Sequence, residues 1–227
     1  MKKYAYVTLL SSNNYIWGVI GLNYSLKKNN CEYPLIAITT DDISQENLDL
    51  LEKENIIIKL VKKQIFQKSD HHRYGTCINK LYLFGLNEYE KLFFLDADCI
   101  VIYNLDFLFN YELPIFSIIP DIKTSYNRGH IWGGAFLIKP SLKLEEYFFQ
   151  IASDFDTDEE ILNDFFQNFN FKIFDANFFI IHDYNSTKKY WERYSLENKE
   201  KIKNFIDNST YLIMKKTNWI YSDVLPH

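Results

Sequence analysis

The sequence predicts an α/β fold, a mostly parallel, doubly wound (Rossmann-like) sheet flanked by helices in a single domain, and three observations carry that expectation. Strand-like and helix-like segments alternate along the first hundred residues, the order that builds βαβ units. Lys91-Leu92-Phe93-Phe94-Leu95 is an apolar run without helical periodicity, as expected of a strand buried on both faces. That run ends in Asp96-Ala97-Asp98, two carboxylates one residue apart, where an open α/β sheet holds its ligands, beyond the carboxyl ends of the strands. Buried charge is costly unless paired, so the two acids call for a cation, and a divalent metal with its phosphate ligand suits the place. An acidic turn that only closes a hairpin has the same spacing.

The elements follow in order. Tyr4 to Leu10 is β-rich, and Tyr15 to Leu26 sets Ile16, Val19, Ile20, Leu22 and Leu26 on a helical stripe. Tyr33 to Thr39 reads as the next strand, and Asp42 or Ser44 caps a helix through Leu51. Asn55 to Val61 is a third strand, and Lys62 to Gly75, with His71, His72 and Arg73, is patternless and reads as a loop. Helical spacing returns at Ile78, Leu81, Tyr82, Phe84 and Leu86, before the strand that ends at Asp96. Beyond it, Asn104 to Phe109 is a short helical turn, and Pro114 to Ile119 and Ile131 to Ile138 are strands, the latter interrupted by Gly133-Gly134. Ser141 caps a helix through Ile151, and Ile161, Leu162, Phe165, Phe166 and Phe169 form the stripe of the last one. Thr157 and Glu160 have capping-box spacing at its start.

Composition bounds the function. A chain of 227 residues with 47% apolar content buries one large core, and no Gly-, Pro- or Ser-rich linker divides it, so residues 1–227 are expected to form one domain. Its net charge of −5 argues against a nucleic-acid-binding face, which needs a basic stripe. Cys31, Cys77 and Cys99 are dispersed and odd in number, which fits reduced thiols and a cytoplasmic location better than disulfides or a zinc site. No apolar stretch approaches a membrane span, and the Met1-Lys2-Lys3 start lacks a cleavage pattern. Oligomeric state has no signature in the residues, and a homodimer stands as open as a monomer.

Six dispersed motifs together resemble a known family. They are Val7-Thr8-Leu9 with Tyr15; Asn79-Lys80-Leu81; Phe94-Leu95-Asp96-Ala97-Asp98 with Asn104-Leu105-Asp106; Gly133-Gly134-Ala135-Phe136; Asp158 with Ile161-Leu162-Asn163; and His182 with Lys188. In order and rough spacing, from residue 4 to about residue 191, they are similar to the glycogenin-like glycosyltransferases, family 8 of the retaining enzymes.

The resemblance implies a GT-A fold that binds a UDP-sugar with a divalent metal, Mn²⁺ with Mg²⁺ as the alternative, and transfers the hexose with retention to a saccharide or protein acceptor. It implies Asp96, Asp98 and His182 as metal ligands, with Asp96 and Ala97 also beside the nucleotide. Leu9, Ser11 and Tyr15 would line the uracil pocket. Lys80 and Lys188 would face the phosphates and the sugar, with Arg73 in the role of an arginine upstream of that first lysine. Asp158 would sit beside the transferred sugar, in a catalytic set with Lys80 and Lys188. Residues up to about 104 would form the nucleotide half and 105–227 the acceptor half. By residue type alone, His182 reads as a strand-end histidine, Lys80 as a solvated helix lysine and Tyr15 as a helix-start aromatic, so these roles rest on the shared register.

The chain departs from the family pattern at the sugar contacts. Trp132-Gly133-Gly134 stands where the family often has Asn-Ser-Gly, and Asp156-Thr157-Asp158-Glu159 where it has Gly-Gly-Asp-Gln. The two glycines are expected to leave room for a substituent such as an N-acetyl group, making UDP-GlcNAc a candidate beside UDP-glucose and UDP-galactose. Other classes with an acid pair at a strand end are metal-dependent phosphohydrolases and nucleotidyltransferases, and a third reading is an inactive UDP-sugar-binding protein.

Overall fold

The computed structural model describes residues 2–66, 75–101, 103–112, 114–117, 131–166, 172–174 and 180–181. The elements are β1 (Lys2–Leu10), α1 (Ile16–Lys28), β2 (Leu35–Thr40), α2 (Gln45–Lys53), β3 (Ile57–Val61), β4 (Tyr89–Leu95), β5 (Ile100–Val101), β6 (Ile115–Ser117), β7 (Trp132–Ile138), α3 (Leu142–Ile151), α4 (Asp158–Phe166), β8 (Lys172–Phe174) and β9 (Ile180–Ile181).

Seven strands form one sheet in the order β3-β2-β1-β4-β7-β6-β8. β1 pairs in parallel with β2, through Tyr6 opposite Leu35, and with β4, through Tyr6 opposite Phe93. β7 pairs antiparallel to both β4 and β6, so it alone runs against its neighbours in the described sheet. Its reversal brings the start of β7, Trp132 to Gly134, to the carboxyl end of β4, where a parallel strand would have delivered its last residues.

Each central strand is apolar on both faces because each face is covered. Tyr6, Leu10, Phe93 and Leu95 pack with Val19, Leu22 and Leu51 of α1 and α2, while Ala5, Val7, Leu92 and Phe94 pack with Phe84, Phe148 and Leu162 on the opposite side. Alternation of side chains along a strand thus feeds two separate cores. A joint at the base of the sheet ties them to the chain's turns: Tyr6 donates to Asp106 at 2.6 Å, whose other oxygen accepts from the Glu32 backbone at 2.8 Å.

Several expectations are refined. The stretch with helical spacing after Cys77 is a 3-10 run, Cys77–Gly85, rather than an α-helix. Asn79 explains part of this, because its side chain bonds the backbone of Gln64 in both directions and of Thr76, which ties the run sideways to the chain leaving β3. Ser44, not Asp42, caps α2; Asp42 instead accepts from Thr40 and Lys63. The Thr157 cap on α4 forms, but Glu160 reaches back to the Asp156 backbone, one residue before the expected partner. The apolar residues after Asp98 do not continue β4: they form β5, which pairs antiparallel with β9 outside the main sheet.

Candidate active site

A cleft of about 820 Å³ runs across the strand ends from the exit of β2 to the start of β7. Its lining brings together Leu9, Ser11, Tyr15, Lys80, Asp96, Ala97, Asp98, Asp158 and Glu159, nine of the residues singled out by sequence. His182, Lys188 and Arg73 lie outside the described residues.

The centre of the cleft is the turn after β4. Asp96 N donates to Gly134 O at 2.8 Å and Cys99 N to Asp96 O at 3.0 Å, so the chain turns sharply at the strand end with both carboxylates in the lining. Asp98 is buried to 9% exposure, whereas the Asp96 side chain keeps 30%.

One arm of the cleft is polar and mostly uncharged. The chain leaves β1 at Leu10 and turns through Asn13–Tyr15, where the Asn13 carboxamide oxygen accepts from Ser44 N at 2.9 Å and Asn47 Nδ2 at 2.8 Å. Ser11 Oγ lies 3.0 Å from Thr76 Oγ1, joining this arm to the 3-10 run that carries Lys80. Farther out, the hydrogen bond from Lys63 holds the Asp42 carboxyl below its ordinary range.

The other arm is charged and closed. Lys80 is 5% exposed; its ammonium donates to Gly133 O at 2.8 Å and lies 2.7 Å from Asp158 Oδ2 and 3.3 Å from Asp96 Oδ1. Burial works against its charge, but the two carboxylates outweigh burial and keep it protonated well above the ordinary lysine range. Burial likewise raises the Asp158 carboxyl, with the Lys80 ammonium pulling the other way, and a cation at this distance keeps the pair ionic. The Asp158–Lys80 contact lacks hydrogen-bond alignment, so charge rather than geometry holds it. Glu159 accepts from Gly133 N at 3.0 Å, and burial together with the neighbouring Asp158 pushes its carboxyl up to about 7.

Gly133 and Gly134 do not leave the expected room. A Cβ on Gly134 would come within 1.9 Å of Trp132 Cζ2, and one on Gly133 within 2.9 Å of both Asp158 Oδ2 and Glu159 Cγ. The space is already filled, by the indole on one side of the strand and by the acids on the other, so the glycines admit this chain's own side chains rather than an N-acetyl group.

Sequence reasoning gave three groups no role in the site. Asn163 clasps the start of β7, its carboxamide donating to Ile131 O at 3.0 Å and accepting from Ile131 N at 2.7 Å. Cys77 joins the charged arm, its thiol pushed up to about 12 by burial and by Asp158. Asp42 with Lys63 marks the outer arm. The position of Cys77, one turn before Lys80, and the place of Asn163 in the Asp158 motif were the usable signals.

Among the described residues no three His, Cys, Asp or Glu side chains cluster to hold a divalent metal. Two carboxylates at a strand end do fit a hard cation that takes its remaining ligands from a diphosphate. Ile181 pairs with Ile100, two residues beyond Asp98, so the residue that precedes His182 in the chain is beside the acid turn.

The family model described as glycosyl transferase family 8 matches residues 6–221. Human glycogenin-1 is 27% identical over 180 residues, 74% of this chain and 49% of its own. UDP-glucuronate:xylan alpha-glucuronosyltransferase 2 of Arabidopsis thaliana is 36% identical over 133 residues, 56% of this chain and 22% of its own. The chain thus spans less than half the length of these curated relatives. Among solved structures, the galactosyltransferase LgtC in complex with donor and acceptor sugar analogues superposes with a TM-score of 0.59 at 17% identity, over 77% of this chain and 74% of that one, which supports the GT-A type of fold. Among the described residues no helix is long and apolar enough to cross a membrane.

Proposed function

The chain belongs to glycosyl transferase family 8, and from that premise we propose that it transfers a hexose from a UDP-sugar to a hydroxyl acceptor with retention of anomeric configuration, using Mn²⁺ or Mg²⁺. The observation that carries the reading is the Asp96-Ala97-Asp98 turn opening into a cleft whose two arms differ, one polar and one charged. The polar arm at Leu9, Ser11 and Tyr15 takes the uridine, and the charged arm at Asp158 and Glu159 takes the sugar. The nucleotide half then falls within residues 1–104 and the acceptor half within 105–227. Three cysteines that carry free thiols agree with a reducing compartment such as the cytoplasm.

Asp96, Asp98 and His182 would hold the metal. When bound, it would neutralise charge on the departing diphosphate. The bond from the anomeric carbon to the β-phosphate oxygen breaks, the bond to the acceptor oxygen forms on the same face, and the acceptor proton passes to the departing phosphate. Lys188 adds a second positive clamp where that charge develops. Asp158 positions rather than attacks: its carboxylate is already bound to Lys80, which favours front-face attack over a covalent sugar intermediate.

The test is incubation with UDP-glucose, UDP-galactose and UDP-GlcNAc in Mn²⁺, Mg²⁺ or EDTA, following UDP release and the anomeric configuration of the product by proton NMR. Metal-dependent UDP release with a retained product is expected. Release of UMP would favour the phosphohydrolase reading instead, and an inverted product would remove the retaining mechanism.

A further inference from the structure

We propose that Glu159 makes the sugar arm of the cleft a charge filter, admitting a donor whose transferred sugar is uncharged and rejecting a uronate. The proposal rests on the donor reading above and deepens it by naming the class of sugar.

The geometry sets the sign. The arm is built from the starts of β7 and α4, where the Glu159 carboxyl is fixed by Gly133 N at 3.0 Å and remains part of the cleft lining. Among the described lining residues the cations are Lys63 and Lys80. Lys63 donates to Asp42, and Lys80 is enclosed by Asp158, Asp96 and the Gly133 carbonyl, so neither offers its charge to a sugar carboxylate. The groups facing Glu159 are Asp158 on its own helix, Lys80 and Cys77 on the 3-10 run, Asp96 at the end of β4 and the Gly133 amide of β7. The Lys80 charge is already shared by two carboxylates, and Cys77 holds its proton, so among the described residues ionised Glu159 leaves the arm negative. A uronate placed there meets like charge in a partly water-excluded site, whereas a neutral hexose meets acceptors for its hydroxyl groups.

Affinity for UDP-glucose and UDP-glucuronate is measured by titration calorimetry with Mg²⁺ on the full chain and on Glu159→Gln and Glu159→Lys. At about pH 8 the wild type should prefer UDP-glucose by about tenfold or more, a size ordinary for one like-charge contact. The preference should fall toward parity in Glu159→Gln and reverse in Glu159→Lys. A wild-type ratio that Glu159→Gln leaves unchanged, or a preference for UDP-glucuronate, would overturn the filter while leaving the donor reading intact. Binding of neither donor would remove both.

Discussion

The acid turn at the end of β4 and the charged arm beside it do related work but are made in opposite ways. Asp96, Ala97 and Asp98 are contiguous, and one tight turn places them. The charged arm is drawn from three separate stretches of the chain, Lys80, Gly133 and the adjacent pair Asp158-Glu159, and Gly133 reaches it because β7 runs against its neighbours. A contiguous site can lose a side chain without losing its frame. An assembled one has its chemistry and its folding in the same contacts.

Lys80→Met tests that difference with the largest expected effect. The side chains of Lys80 and Asp158 are 6% and 5% exposed, and removing one partner strands the other charge in the interior. A loss of about 3–5 kcal/mol in unfolding free energy is expected by urea denaturation, as for other broken buried pairs. The double variant Lys80→Met with Asp158→Leu should recover most of it. A loss below about 1 kcal/mol would mean that the arm is not structural, and the contrast would collapse.

Asp98→Asn is the counterpart in the acid turn. It removes one charge from the proposed metal site, so turnover should fall at least about 10²-fold while unfolding free energy changes little. Activity undiminished by this substitution and by EDTA would show that the acid turn is not a metal site.

Gly134→Ser probes the seam between the two regions, because Gly134 O also accepts from Asp96 N. Its new side chain would collide with the Trp132 indole, an overpacking that costs about 1–3 kcal/mol. Since the collision moves the indole rather than filling donor space, UDP-glucose and UDP-GlcNAc should lose affinity equally. A loss confined to UDP-GlcNAc would restore the room that the sequence suggested.

How much could be read without coordinates follows the same division. The succession of β1, β2, β3 and β4 along the chain was legible because apolar periodicity is local, and so was the acid turn; their order in the sheet was not. The 3-10 run after Cys77 was not, because its apolar spacing suits a helix while Asn79 binds the run to Gln64, a contact with no local signature. The antiparallel sense of β7 leaves no mark in its own residues, which are apolar in either direction. The glycines misled for the same reason: a missing Cβ is visible in sequence, but not which neighbour occupies the space it leaves.

The smallest effect expected is the pH dependence that Glu159 gives to stability. Burial and Asp158 raise its carboxyl from an ordinary 4.5 to about 7, so the folded chain holds this proton more tightly than the unfolded one. Stability from this group is therefore full below the unfolded value and is lost as pH rises through the folded value, the reverse of a salt-bridged acid. Glu159→Gln removes the titration and can retain an acceptor for Gly133 N. Relative to wild type, the variant should gain stability as pH rises from about 4 to about 8, read from paired urea curves in which the other titrating groups largely cancel. A difference that does not change with pH would mean that Glu159 remains ionised throughout, solvated from the cleft, and that this corner of the charged arm is as open as the acid turn.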